Sequence, residues 1–239
     1  MQEQPPPRVL GREEYLAAWA RWHGGTDPAG SPLVRWWLSG AYALARPVAV
    51  VPPIAATGLG LLVTGGAVAA AVAGGWWLVL AGVLVGLSGL LDSLDGALAI
   101  ITGRASRRGF VLDSAVDRLT EAGYAAALWV GGAPGWLAAA FGALCWLPDY
   151  LRARAGQAGV PETGSLSVWE RPSRVALTGF TLGGAGVLTA VGAARLVVTA
   201  GAAAGCLLGA LGVVSWGCRC AGYWPTDGPA RRHVPRSLR

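Results

Sequence analysis

Of the chain's 239 residues, 54% are hydrophobic and 13% charged; soluble domains carry about 25% charged residues, so a membrane protein is favoured. All 19 basic residues are arginine and the net charge is +6. The arginines are scattered between apolar runs without interleaved aromatics, which points to anionic lipid headgroups and away from nucleic acid.

Residues 1–32 are polar and proline-rich, are expected to be disordered, and show no secretory hydrophobic core, so the N-terminus is expected in the cytoplasm. The stretch LVRWWLSGAYALAR, residues 33–46, combines Trp36, Trp37 and Tyr42 with flanking arginines, the composition of an amphipathic helix lying along a membrane surface. Six apolar stretches follow, roughly 53–73, 76–101, 110–131, 135–151, 175–194 and 196–216, near the ~20 residues a span requires. The expected fold is therefore all-α: a polytopic membrane protein with six transmembrane helices preceded by an interfacial helix. Its membrane domain covers 33–220, and the tail 221–239 is expected to be disordered. Small residues such as Gly82 and Gly86 recur at spacings that suit close helix contact in lipid.

The connectors differ in charge. Arg104, Arg107 and Arg108 fall between the second and third stretches, and Arg152, Arg154, Arg171 and Arg174 between the fourth and fifth, whereas the alternate connectors hold only Arg195. By the positive-inside rule the arginine-rich side and both termini face the cytoplasm. His23 and His233 lie in the polar ends and are not expected to bind metal. Cys145 and Cys206 sit within apolar runs, and Cys218 and Cys220 lack the further ligands of a zinc site.

Acids interrupt this apolar chain. The stretch LLDSLDGALAI, residues 90–100, puts Asp92 and Asp95 on one helical face near the end of the second span, and Asp113 and Asp117 share a face at the start of the third. A turn joins the two spans, so antiparallel packing brings all four carboxylates to one depth. Each costs about 2.5–3.5 kcal/mol at a helix centre and less near the interface, so the charge calls for an offset. Four acids without His or Cys form a hard-oxygen set suited to Mg²⁺ or Mn²⁺, and two such ions neutralise it while holding a diphosphate. Gly96 and Gly109 flank the acids where a side chain would fill ligand space. Ala99 is small in the same way, and Ser106 offers a hydroxyl to a phosphate.

The run from Asp92 to Asp117 resembles the signature of the CDP-alcohol phosphotransferase family: D-x2-D-G-x2-A-R, eight or more residues, then G-x3-D-x3-D. Asp92, Asp95, Gly96, Ala99, Gly109, Asp113 and Asp117 match, and Ile100 stands where the family has an arginine thought to contact the donor diphosphate. Arg104, one turn further, is the candidate replacement if the helix continues. PPIAATGLGLL, residues 52–62, is similar to the family's opening of the first span, with Pro53 and Thr57 in place and Ile54 at a usually polar position. DYLRARAGQAG and WERPSR are similar to segments of actinobacterial phosphatidylinositol phosphate synthases that bind the acceptor phosphate. That likeness implicates Arg152, Arg154, Arg171 and Arg174, whose planar forks suit phosphate.

The resemblance implies an enzyme of the bacterial plasma membrane with its active site facing the cytoplasm. It would transfer the phosphatidyl group of CDP-diacylglycerol to a polar acceptor, inositol phosphate being favoured over glycerol 3-phosphate, with release of CMP. Asp92, Asp95, Asp113 and Asp117 would ligate two Mg²⁺ ions, and Asp117 would also take the acceptor proton. Pro53, Gly96, Ala99, Arg104, Ser106 and Gly109 would surround the donor. A homodimer in contact with membrane lipids is implied as well. Two rivals remain: a family member that has lost catalysis and serves as a lipid-binding or assembly protein, suggested by Ile100 and Ile54, and an ion-coupled transporter, suggested by intramembrane acids.

Overall fold

The structure, a computed structural model, describes residues 9–22, 28, 32–160 and 167–221, and among them every regular element is helical. His23, His233 and most of the tail fall outside the described residues. The helices are α1 (Arg12–Trp22), α2 (Pro32–Ala45), α3 (Pro53–Ala73), α4 (Trp77–Ile101), α5 (Arg107–Val130), α6 (Gly135–Gln157), α7 (Arg171–Val187) and α8 (Ala194–Cys220). Short 3-10 turns follow α2 and α7.

Local chemistry sets the boundaries. Pro53 opens α3 in a first turn where its missing N–H is harmless, and Gly74 and Gly75, at φ 66° and 57°, turn the chain into α4 where β-carbon-bearing residues are strained. Ser106 caps α5, its Oγ accepting from the Gly109 N–H at 3.0 Å. Pro148 lies inside α6 and cannot donate to the carbonyl four residues back. That carbonyl, on Leu144, accepts instead from the Trp169 indole Nε1 at 3.2 Å. The proline in α6 thereby leaves an acceptor that anchors the chain just ahead of α7.

Without water to drive apolar contact inside a bilayer, close backbone approach is the main cohesion between spanning helices. α4 and α7 meet in this way. A β-carbon on Gly82 would collide with the backbone of Gly179 and Gly183, one on Gly89 would lie 2.7 Å from Val175, and one on Gly186 would lie 2.5 Å from the Val79 nitrogen. Of the pair singled out in the sequence, Gly82 makes the tight contact, while a β-carbon on Gly86 meets nothing. Around this seam Val85, Tyr124, Leu128, Phe141, Leu182 and Ala202 form the main core.

A second core gathers Tyr15, Leu16, Leu38, Ala41 and Ala45 from α1 and α2 against Ala97, Leu98 and Ile101 at the end of α4. The Leu10 N–H donates to the Ile101 carbonyl at 2.9 Å, and burial pushes the Tyr15 hydroxyl pKa up to about 12. Within the segment expected to be disordered, residues 12–22 are thus helical and packed; the charges of Arg12, Glu13 and Glu14 mask an apolar face at Tyr15, Leu16, Ala18 and Trp19. α2 forms where the interfacial helix was expected, with Trp36 69% and Leu44 47% exposed on the side away from that core.

Against the six expected spans, four helices among the described residues are long and apolar enough to cross a membrane: Pro53–Ala73, Trp77–Ile101, Arg171–Val191 and Ala194–Cys220. α5 and α6 have the length, at 24 and 23 residues, but are less apolar: α5 carries Asp113, Asp117, Arg118 and Glu121, and the second half of α6 carries Pro148, Asp149, Arg152 and Arg154.

Candidate functional site

α4 and α5 scarcely touch each other; α3 packs against both, and together with the start of α7 this brings the two aspartate pairs together. Carboxylate oxygens of Asp92, Asp95 and Asp113 all lie within 4.8 Å of one another. Asp95 is 4% exposed and accepts from the Thr57 hydroxyl of α3 at 2.5 Å. Thr57 Oγ1 also lies 3.1 Å from the Pro53 carbonyl, but its single proton serves one acceptor at a time. Asp113 Oδ1 is buried with no hydrogen-bond partner, an arrangement that is costly for a carboxylate unless a cation approaches it.

Asp117 is turned to a different partner. Arg171, the first residue of α7, places Nη1 on Asp117 Oδ1, Nε 2.8 Å from Asp92 Oδ2, and Nη2 3.1 Å from the Thr120 hydroxyl, to which it donates. These are charge contacts more than well-aligned hydrogen bonds, because Arg171 Nε and Nη1 lack hydrogen-bond geometry. A cavity of about 10 Å³, lined by Thr57, Asp92, Asp95, Thr120 and Arg171 among others, lies inside the cluster; that is room for roughly one water.

A second network adjoins it. Arg174, 1% exposed, donates Nη1 to Glu121 Oε1 at 2.5 Å and to Asp149 Oδ2 at 3.0 Å, and Nε to the Trp169 carbonyl at 3.1 Å. Arg118 reaches Asp149 at 2.8 Å and Glu121 at 3.2 Å. Arg152 grips Glu170 with both terminal nitrogens and approaches Asp149 at 3.5 Å. Three arginines thus face three acids across α5, α6 and the start of α7. Burial alone would raise the Glu170 carboxyl, but Arg152 and the Ser167 N–H at 2.7 Å outweigh it and hold the group below its ordinary value.

The expected site residues therefore separate. Asp92, Asp95 and Asp113 converge, with Asp117 joined to Asp92 through Arg171. Of the four arginines expected to bind a phosphate, Arg174 is buried in ion pairs with Glu121 and Asp149, 53 and 25 residues away in sequence. Arg152 is half-buried and paired, and Arg154 is exposed, donating to Gln157 at 2.8 Å.

The donor-side expectations also separate. Gly96 is exposed with open space where a β-carbon would point. Pro53 and Ser106 act locally, as helix start and cap, and Gly109 supplies the capped N–H. α4 does not continue to Arg104: it ends at Ile101 and Gly103 takes φ 65°, so Arg104 leaves the helical face and lies exposed in the turn. Ala99 accepts the Ala105 N–H at 3.0 Å in the same turn. Ile100 packs against the α1 and α2 core. Sequence reasoning passed over Arg118, Thr120 and Glu170; the i, i+3 spacing of Arg118 and Glu121 was the available signal for the first.

The donor set fits a divalent ion. Three carboxylate oxygens from two helices stand close enough together to share an ion, all of them hard ligands, and Asp113 also carries the partnerless Oδ1. Residues 50–154 match the family model of CDP-alcohol phosphatidyltransferase. The chain is similar to an archaetidylinositol phosphate synthase of Pyrococcus horikoshii, 36% identical over 98 residues, covering 41% of this chain and 52% of that protein. The corresponding enzyme of Aeropyrum pernix is 39% identical over 101 residues, again 41% and 52%. A phosphatidylinositol phosphate synthase of Corynebacterium glutamicum is 31% identical over 140 residues, 52% and 60%. The matches thus span little more than half the length of these relatives. No solved structure matches the chain significantly.

Proposed function

Because residues 50–154 carry a CDP-alcohol phosphatidyltransferase domain, on an integral membrane protein with four strongly apolar helices, we propose that the chain transfers the phosphatidyl group of CDP-diacylglycerol to a phosphorylated polyol. The observation that carries the reading is the convergence of Asp92, Asp95 and Asp113 inside that domain, with a buried Asp113 oxygen that no protein group satisfies. Asp92, Asp95 and Asp113 would hold a divalent ion, Mg²⁺ or Mn²⁺, with Asp117 positioned to share a second. When bound, such ions supply charge neutralisation for the donor diphosphate.

In this reaction an acceptor hydroxyl oxygen attacks the lipid-side phosphorus, a new P–O bond forms, and the P–O bond to CMP breaks. Asp117 receives the acceptor proton. Its contribution lies in position beside the metal-binding carboxylates. The open space beside Gly96 suits the nucleotide. Arg171 borders the carboxylates, and Arg152 and Arg154 lie on α6 nearby in sequence; these three are the candidates for the acceptor phosphate.

The names of the relatives favour inositol phosphate as acceptor. α5 and α6 complete six spans, their charges turned toward one another, and α2 lies in the headgroup layer of a bacterial plasma membrane with the site and both termini cytoplasmic. A homodimer accords with the family resemblance. The acceptor is tested by offering inositol phosphate, glycerol 3-phosphate and free inositol to the purified protein with CDP-diacylglycerol. Fastest CMP release with inositol phosphate supports the reading, and equal release with free inositol refutes a phosphate subsite.

A further inference from the structure

The four carboxylates are not equivalent, and Arg171 is the reason. Its guanidinium spends Nε on Asp92, Nη1 on Asp117 and Nη2 on Thr120, so one planar fork ties α7 to both α4 and α5. Asp95, by contrast, accepts from the neutral Thr57 hydroxyl, and Asp113 Oδ1 has no hydrogen-bond partner. Asp92 belongs to both halves. One half of the cluster is therefore open to a cation, and the other is already covered by one.

We propose that Arg171 is a built-in competitor for divalent cations at Asp92 and Asp117, so that the cluster takes a first ion at Asp92, Asp95 and Asp113 readily and a second only as Arg171 yields its contacts. An arginine side chain stays charged at any physiological pH, so its positive charge leaves the pair by movement and not by deprotonation. The guanidinium sits at the end of a long flexible stem on the first residue of α7, next to Glu170, which Arg152 holds in place. Once displaced, the same fork is a bidentate phosphate ligand beside the metal, and filling the second site makes an anion-binding group available. The competition rests on the metal-dependent reading above but concerns the order and strength of loading, not the reaction.

Titration of the full-length protein in detergent with Mn²⁺, following free Mn²⁺ by electron paramagnetic resonance, tests it without reference to activity. Wild type is expected to bind one ion tightly and a second more weakly, and Arg171→Gln, which removes the charge, is expected to tighten the second by about tenfold or more. Thr120→Val, which deletes the acceptor of Nη2 and leaves the charge, is expected to shift it in the same direction by less, and it carries the test if Arg171→Gln fails to fold. Mn²⁺ affinities and stoichiometry unchanged in both folded variants overturn the competition alone. Absence of Mn²⁺ binding in wild type and variants alike overturns the metal reading and the competition with it.

Discussion

Glu121→Gln is the sharpest probe of how the site's scaffold is held. The Glu121 side chain is fully buried, accepts from Arg174 at 2.5 Å and pairs with Arg118 at 3.2 Å. Glutamine keeps the shape but removes one negative charge from a network in which three arginines balance three acids, leaving Arg174 at 1% exposure with Asp149 as its remaining carboxylate. Removing one partner of a buried ion pair costs about 3–5 kcal/mol, because the other charge stays desolvated. At about 2–4 °C per kcal/mol for a chain of this size, the melting temperature in detergent, followed by tryptophan fluorescence, should fall by on the order of 10 °C. The paired variant Glu121→Gln with Arg174→Gln restores the balance and should lose less than the sum of the singles, with a coupling of about 1 kcal/mol or more. A single variant melting within about 2 °C of wild type, or strictly additive losses, would refute the view that this network is a buried and balanced unit.

Three further outcomes are expected. Thr57→Val removes the hydroxyl that orients Asp95 and should weaken Mn²⁺ binding by about 10–100-fold, as loss of an outer-shell partner does, whereas Thr57→Ser should restore it. Gly82→Val drives a side chain into the backbone of Gly179 and Gly183, and since that backbone has no room to give, the α4 and α7 seam should open and the folded yield drop, while Gly86→Ala should be tolerated. The Glu170 carboxyl sits below its ordinary value, so it stabilises the fold above the ordinary glutamate pKa of about 4.3, and that stability fades as pH falls through the lowered value. Wild type should therefore lose melting temperature between pH 5 and pH 3 (approximate limits set by that ordinary value) more steeply than Glu170→Gln; equal slopes would remove Glu170 from the account.

Much of the architecture can be read directly from the chain because its determinants are local. α3, α4 and α8 are apolar runs bounded by Pro53, Gly74, Gly103 and Gly192, and helical spacing alone places Asp92 with Asp95 and Asp113 with Asp117. What escaped depends on partners distant in sequence. The pairing of Arg174 with Glu121 joins two helices 53 residues apart in sequence, and Trp169 shows its purpose only once Pro148 has freed the Leu144 carbonyl. The end of α4 at Ile101 removed Arg104 from the face it was expected to share, because Gly103 adopts a left-handed turn. α1 was hidden for a different reason: the prolines and charges of residues 1–32 dominated the average composition of that whole stretch, while Tyr15 and Leu16 found a buried place against α4.

The central claim is tested most directly by CMP release. The purified protein, given CDP-diacylglycerol and inositol phosphate, should release CMP only when Mg²⁺ or Mn²⁺ is present, and Asp95→Asn and Asp117→Asn should each reduce the rate by at least about a hundredfold while remaining folded. Release that persists in excess chelator, or that survives in both aspartate variants, would contradict it.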